Sequence, residues 1–341
     1  MNRRTLFLMG LAGAAGCSRA RERRLNVFNW SSYVAADTIP NFEREFGVHV
    51  RYAVYESNEE MFARVMTGNS GWDVVFPTNY FIEPMREMGL LAELDHGLLR
   101  NLDQLDVLFR RPSWDPDLRW SIPYMWNATG IAYNKDAGPA PLSWRDLWDE
   151  RMAGHLTMLD DPVDVFGACL KKLGCSYFSS NPDELRKAQA EAVAQKRLVR
   201  AYVNAEVRDQ LISGDVLVAQ MWSTNAQQAI DATPKVAFAY PSEGYPLYPD
   251  CSVILRESPR RQIAHQFIDY LLRPKVAAAI VETARTATAN GGARAFLPDS
   301  LRANPVIFPP AAIMSRGEWP LPQPPAIQRL RDRLWTEVKS S

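Results

Sequence analysis

The sequence predicts two α/β lobes facing each other across a ligand cleft. Three observations carry this. After residue 24 strand-like and helix-like segments alternate in two successive series. No Gly/Ser-rich or low-complexity linker separates the series, so they must pack together. The predicted strands end in aromatic residues and carboxylates, where α/β sheets bind ligands.

The first series opens with "LNVFN", a strand. "DTIPNFEREFG" follows, a helix with Ile39, Phe42 and Phe46 on one face and Gly47 as its stop. "VHVRYAV" alternates as a half-buried strand does. "SNEEMFARVMTG" is a helix with Ser57 and Glu60 at capping-box spacing. "WDVVF" is a third strand and "NYFIEPMREMG" a third helix. This βαβαβα order predicts a parallel sheet covered by helices.

A second series begins near residue 127. Strands are expected at "TGIAYN", "HLTML", "LVRAYV", "DVLVAQMW" and "KVAFAY", with helices such as "SWRDLWDE" and "DELRKAQAEAVAQ" between them. "CSVIL" and "SPRRQIAHQFIDYLLRP" add a strand and a helix. A Pro-rich stretch, "EWPLPQPPAI", precedes a last amphipathic helix from Ile327 to Val338. The expected division is a first lobe of residues 25–125 plus 250–294 and a second of 126–249 plus 295–341.

A chain of 341 residues suffices for two cored domains. Its 39 basic and 39 acidic residues cancel, which argues against a nucleic-acid partner held by bulk charge. Residues 1–17 have the form of an export signal. Arg3 and Arg4 precede the apolar "TLFLMGLAGAAG", which is too short to span a bilayer. "RRTLFL" also looks like a twin-arginine signal. Small residues before Cys17 resemble a bacterial lipoprotein cleavage site, although Ala14 stands where Leu is more usual. That resemblance implies a lipid on Cys17 and membrane attachment through it. An oxidising compartment would permit a Cys169–Cys175 disulfide, and buried free thiols are the alternative. His49, His96, His155 and His265 are scattered, without metal-ligand spacing, and no cofactor is expected.

The strand ends hold the candidate site. Trp30, Ser31 and Tyr33 follow the first strand, and Thr78, Asn79 and Tyr80 the third. Asp160, Asp161 and Asp164 follow "HLTML", Trp222 ends "DVLVAQMW", and Tyr248 and Asp250 follow "KVAFAY". Aromatic walls attract ammonium and polarised methylene groups, and carboxylates bond ammonium groups directly. The pattern fits an organic di- or tri-cation. Each residue also has a structural explanation. Asp160 or Asp161 suits a helix N-cap before Pro162, and Asp164 a first-turn dipole partner. Trp30 and Trp222 suit the core, and "YPLYPD" suits a turn. A secreted glycoside hydrolase would use paired acids across a cleft, but Asp161 and Asp164 sit on one helix start. No GxSxG, HExxH or P-loop motif occurs.

Several segments resemble the bacterial spermidine/putrescine-binding proteins, the solute receptors of polyamine ABC transporters. They include "NVFNWSSYV", "YESNEEM", "WDVVFPTNY", "WSIPYMWNATGIAYN", "SWRDLWD", "LTMLDDPVDVF", "FIDYLLRP" and "SRGEW". The resemblance implies a type II periplasmic-binding fold, two α/β lobes joined by crossing strands. It implies walls from Trp30 and Tyr33 with Ser31 nearby, and a hydroxyl and an aromatic at Thr78 and Tyr80. It also implies an acidic pair at Asp161 and Asp164, a stacking Trp222, and Tyr248 with Asp250 at the crossover. Two positions depart from the family. A site tyrosine falls on Thr286, and a glutamine after "GEW" falls on Pro320. One wall and one polar contact are lost, which points to a different or shorter amine. The implied partners are a polyamine or related organic cation and an ABC permease, and the implied state is a monomer. Receptors of the same architecture for cationic amino acids, opines, thiamine or iron are the nearest alternatives. An iron receptor would need clustered Tyr and His ligands, and an amino-acid receptor an arginine, for which Arg285 near the hinge is the candidate.

Overall fold

The computed structural model of the protein describes residues 24–204 and 206–341. Residues 1–17, expected to be an export signal ending at Cys17, lie outside the described residues.

The first series forms β1 (Arg24–Trp30), α1 (Thr38–Phe46), β2 (His49–Tyr55), α2 (Asn58–Val65), β3 (Val74–Val75) and α3 (Ile82–Glu87). β1 runs parallel to both β2 and β3. Helix α1 buries the predicted face, with Phe42 edge-on to Phe267 at 5.0 Å. Gly47 ends it in the left-handed region at φ 62°, where its N–H donates to the Glu43 carbonyl. Ser57 caps α2 by accepting from the Glu60 N–H at 3.1 Å. The Glu60 carboxylate bonds the N–H of Glu56 and not that of Ser57, so the expected capping box is half formed.

The second series forms β4 (Ile122–Asn134), β5 (Leu156–Met158), α4 (Pro162–Lys172), α5 (Pro182–Lys196), β6 (Val199–Tyr202), α6 (Val207–Ser213), β7 (Val218–Trp222), α7 (Ser223–Ala232), β8 (Val236–Ala239) and β9 (Tyr245–Ile254). The chain ends with α8 (Arg261–Leu271), α9 (Pro274–Ala284), the short strands β10 (Ala287–Thr288) and β11 (Gly317–Glu318), and α10 (Pro325–Ser340). "SWRDLWDE" makes only a 3-10 turn, Trp144–Trp148. Its Trp144 is fully buried and donates through Nε1 to the Gly244 carbonyl at 2.8 Å.

Strand order is β2-β1-β3-β9-β4-β7-β5-β6. β5 is parallel to β6 and β7, so each end of the order is a parallel group. Two long antiparallel strands join them. β4 pairs with β9 through its first half and with β7 from Thr129 onward. Both strands differ from the sequence expectation. β4 starts at Ile122, seven residues before "TGIAYN", with a register irregularity between Pro123 and Met125. "YPLYPD" is not a turn but the first part of β9, all ten of whose residues are buried. Burial on both faces overrides the turn preference of its two prolines.

Candidate functional site

A cavity of about 200 Å³ opens where the two parallel groups face each other across β4 and β9. Elements from both groups wall it. After β1 the chain turns through Ser32, which sits at φ 58°. A non-glycine residue there stores local strain, and the turn places Trp30 and Tyr33 on the cavity wall. Trp30 is fixed by its indole N–H, which donates to the Phe76 carbonyl at 2.8 Å, and by the Tyr55 ring at 4.7 Å. Ser31 lies at the rim, donating to Glu56 at 3.2 Å.

Of the acids that line the cavity, Asp250 is the one bonded to residues that follow both β1 and β3. It is buried on β9 and accepts from the Thr78 hydroxyl at 2.7 Å and the Tyr33 hydroxyl at 3.0 Å. Asn127 of β4 donates to the same tyrosine oxygen at 3.2 Å. Asn58, the first residue of α2, donates to Thr78 at 3.0 Å and to the Tyr80 hydroxyl at 3.1 Å. Burial pushes the Asp250 carboxyl up to about 7, against the opposing pull of the two hydroxyls.

The second acidic group stands at the start of α4. Asp161 is the N-cap, its Oδ1 accepting from the N–H groups of Val163 at 2.7 Å and Asp164 at 3.1 Å. It also faces the cavity, so the structural and the binding readings both hold. Asp164 is buried and accepts from Tyr177 at 2.8 Å, Tyr248 at 3.0 Å and the Trp222 indole at 3.0 Å. Burial, reinforced by the charge of Asp161, pushes Asp164 up to about 7. Burial also raises Asp161, while the Arg331 charge lowers it. Beside them, Glu59 is raised to about 7 by burial and by Asp161.

Six carboxylates and one arginine, Arg208, line the cavity. Arg208 is already engaged by Asp209 at 3.0 Å and Gln228 at 3.2 Å. Among the described residues, Asp164 and Asp250 accept hydrogen bonds only from uncharged donors. Such a cavity favours a cationic guest, which returns to the acids the stabilisation they lose on leaving water.

The profile of the family described as bacterial extracellular solute-binding protein matches residues 38–309. The chain belongs to this family. It is 33% identical to the putrescine-binding periplasmic protein of Escherichia coli K12, over 97% of this chain and 95% of that one. It is 34% identical to a putrescine/cadaverine-binding protein of Pseudomonas aeruginosa, over 96% of each. Among solved structures, a putative spermidine/putrescine ABC transporter protein of Listeria monocytogenes superposes with a TM-score of 0.89 at 28% identity. That match covers 93% of this chain and 99% of the other. The fold is thus the type II architecture of periplasmic binding proteins, as the resemblance implied.

In this solute-binding protein Trp30, Ser31, Tyr33, Thr78, Tyr80, Asp161, Asp164, Trp222, Tyr248 and Asp250 all line one cavity. Thr286 does not. It is buried, and its hydroxyl donates to the Trp126 carbonyl at 3.0 Å, tying β4 to the segment that enters β10. Pro320 also lies away from this cavity, where its carbonyl accepts from Asn79 at 3.1 Å. Arg285 is paired with Asp231 at 2.6 Å and does not reach the cavity. Cys169 and Cys175 are free thiols. Among the described residues, no group of three or more His, Cys, Asp or Glu side chains is placed to hold a metal. No described helix is long and apolar enough to cross a membrane.

Sequence reasoning missed Asn58, Asn127, Glu59 and Tyr177. Asn58 stands within "YESNEEM", and Asn127 within the mostly apolar first half of β4. A polar residue at a buried position needs a partner, which was the available signal. Tyr177 had none, because its role depends on a contact made through the fold of α4 and the turn after it.

Proposed function

We propose that this protein captures a polyamine of the putrescine or spermidine class in its aromatic and acidic cleft and delivers it to an ABC permease. The carrying observation is that Asp164 and Asp250 are buried in one cavity and, among the described residues, accept only from neutral donors. Two ammonium groups joined by methylenes fit this. The ammonium groups bond the acids, and the methylenes lie against Trp30, Tyr80 and Tyr248. Two relatives are named for binding putrescine, and one of them for cadaverine too. A third relative, from Escherichia coli K12, is a spermidine/putrescine-binding periplasmic protein.

Closure is the mechanism, without bond breaking. We take residues 25–125 plus 250–294 as one lobe and 126–249 plus 295–341 as the other, with the cavity at their junction. A guest held by both lobes favours the closed state by its difference in affinity for the two states. A lipid on Cys17 would tether the monomeric receptor to the membrane beside its permease.

Calorimetry on the signal-free protein tests the reading, with putrescine, cadaverine, spermidine, spermine, arginine, thiamine and ferric citrate. Putrescine or cadaverine should bind best, because Thr286 and Pro320 supply no contact along the cavity. Asp161→Asn and Asp250→Asn should each remove most of the affinity. Asp160→Asn should remove less, since Asp160 is exposed and paired with Lys339 at 3.0 Å. Equal losses at all three, or no heat with any amine, reject the assignment.

A further inference from the structure

A second cavity, of about 460 Å³, adjoins the first. Glu59 and Tyr80 line both. Its walls are Phe62 and Phe81 from one side of the cleft, and Val163, Phe178, Pro320 and Leu321 from the other. Phe178 packs edge-on against Tyr248, 6.0 Å between ring centres, so the two chambers share an aromatic partition. Met66 and Leu321, which also line it, are 47% and 57% exposed, so its apolar surface reaches solvent. Arg331 of α10 also lines this chamber. It is 2% exposed, and its Nε has no hydrogen-bond partner among the described residues. A buried guanidinium N–H needs an acceptor.

The two chambers therefore ask for different chemistry in one guest. The first takes ammonium groups. The second takes an apolar body and, at Arg331, an oxygen acceptor. Glu59 and Asp332 also line this chamber, but a third ammonium placed at Arg331 itself would meet a like charge. We propose that the cleft accepts polyamines acylated on one terminal nitrogen, with the free ammonium groups on the Asp164 and Asp250 carboxylates. The amide oxygen then accepts from Arg331, and the apolar acyl arm fills the second chamber. Acylation removes the charge that Arg331 would repel and supplies the acceptor that it lacks. Pro320 fits this, since it adds an apolar residue to the chamber wall.

The inference rests on polyamine capture at the first cavity, so the experiment separates the two. Titration calorimetry compares putrescine, spermidine, terminally acetylated spermidine and terminally benzoylated spermidine on the signal-free protein. The benzoyl amide should bind at least about tenfold tighter than the acetyl amide, from the ring area it buries. Ala63→Trp fills the second chamber from an exposed helix position outside the first cavity. It should abolish the benzoyl advantage and leave putrescine unchanged. Arg331→Met should weaken both acyl amides relative to spermidine. Putrescine binding without any benzoyl advantage, or an advantage that survives Ala63→Trp, overturns this inference alone. Failure of every amine to bind overturns the capture reading, and this inference with it.

Discussion

Asp73 and Asp250 are both buried carboxylates, and they are served in opposite ways. Asp73 lies at the foot of β3, paired with the Arg260 guanidinium at 3.1 Å. It also accepts from the Ser258 hydroxyl at 2.6 Å and the Asn26 N–H at 2.8 Å. Its counter-charge is part of the chain. Asp250 lies at the far end of the same sheet region with two hydroxyls and no cation. A fold that neutralises one buried acid and leaves others to neutral donors has separated a structural charge from a receptive one. The same contrast holds for Asp164, which three neutral donors hold in place.

Replacing each acid by its amide breaks the comparison most directly. Asp73→Asn leaves Arg260 with no carboxylate, and should cost about 3 kcal/mol of unfolding free energy in a urea titration. Asp250→Asn removes a buried charge that has no internal partner. It should leave the ligand-free protein as stable or more stable, while weakening polyamine binding by about 30-fold or more in calorimetry. A stability loss at Asp250 as large as that at Asp73 would show that Asp250, too, is structural.

The next effect concerns how Asp164 is held. Its partner Tyr177 packs on Gly167 of α4, where an added Cβ would come within 2.0 Å of the ring. No side chain fits there unless Tyr177 moves, and its hydroxyl then leaves Asp164. Gly167→Ala should cost about 1–3 kcal/mol of stability by overpacking. It should also weaken binding at the Asp164 end while leaving the Asp250 end intact. Tyr177→Phe separates the two effects, since it removes the hydroxyl and keeps the ring. Binding unchanged in both variants would mean that the position of Asp164 does not matter.

Much of this arrangement was legible in the sequence. The parallel groups follow from strand and helix periodicity, and the acids and aromatics of the site stand at strand ends where α/β sheets bind ligands. What escaped was set by direction and distance. Thr286 matched a site position along the chain, but its side chain turns back onto β4. "YPLYPD" carried turn residues, yet burial between β3 and β4 made it a strand. Arg331 sits in an exposed-looking charged helix, "QRLRDRLW", yet it is buried once α10 packs on α4 and α5. Such residues acquire their roles from contacts across the chain, and local patterning does not encode those.

The smallest expected effect is on pH, and it sharpens the same contrast. Asp164 and Asp250 are each pushed up to about 7 from an ordinary 3.8. Between those values the ligand-free fold holds protons that the unfolded chain has released. These two acids therefore make the ligand-free protein less stable as pH rises from about 4 to about 7, the reverse of a salt-bridged carboxylate. An ammonium guest needs the ionised acids, so binding near neutral pH must expel protons. Affinity should rise from pH 6 to pH 8 by about tenfold for each acid that must ionise, roughly 1.4 kcal/mol. Calorimetry in buffers of different ionisation enthalpy reads the released protons directly. Release should fall in Asp250→Asn and persist in Asp73→Asn, because Asp250 lines the cavity and Asp73 does not. An affinity flat across this range with no proton release would mean that both acids are already ionised in the empty cleft, and the division between structural and receptive charge would lose its energetic basis.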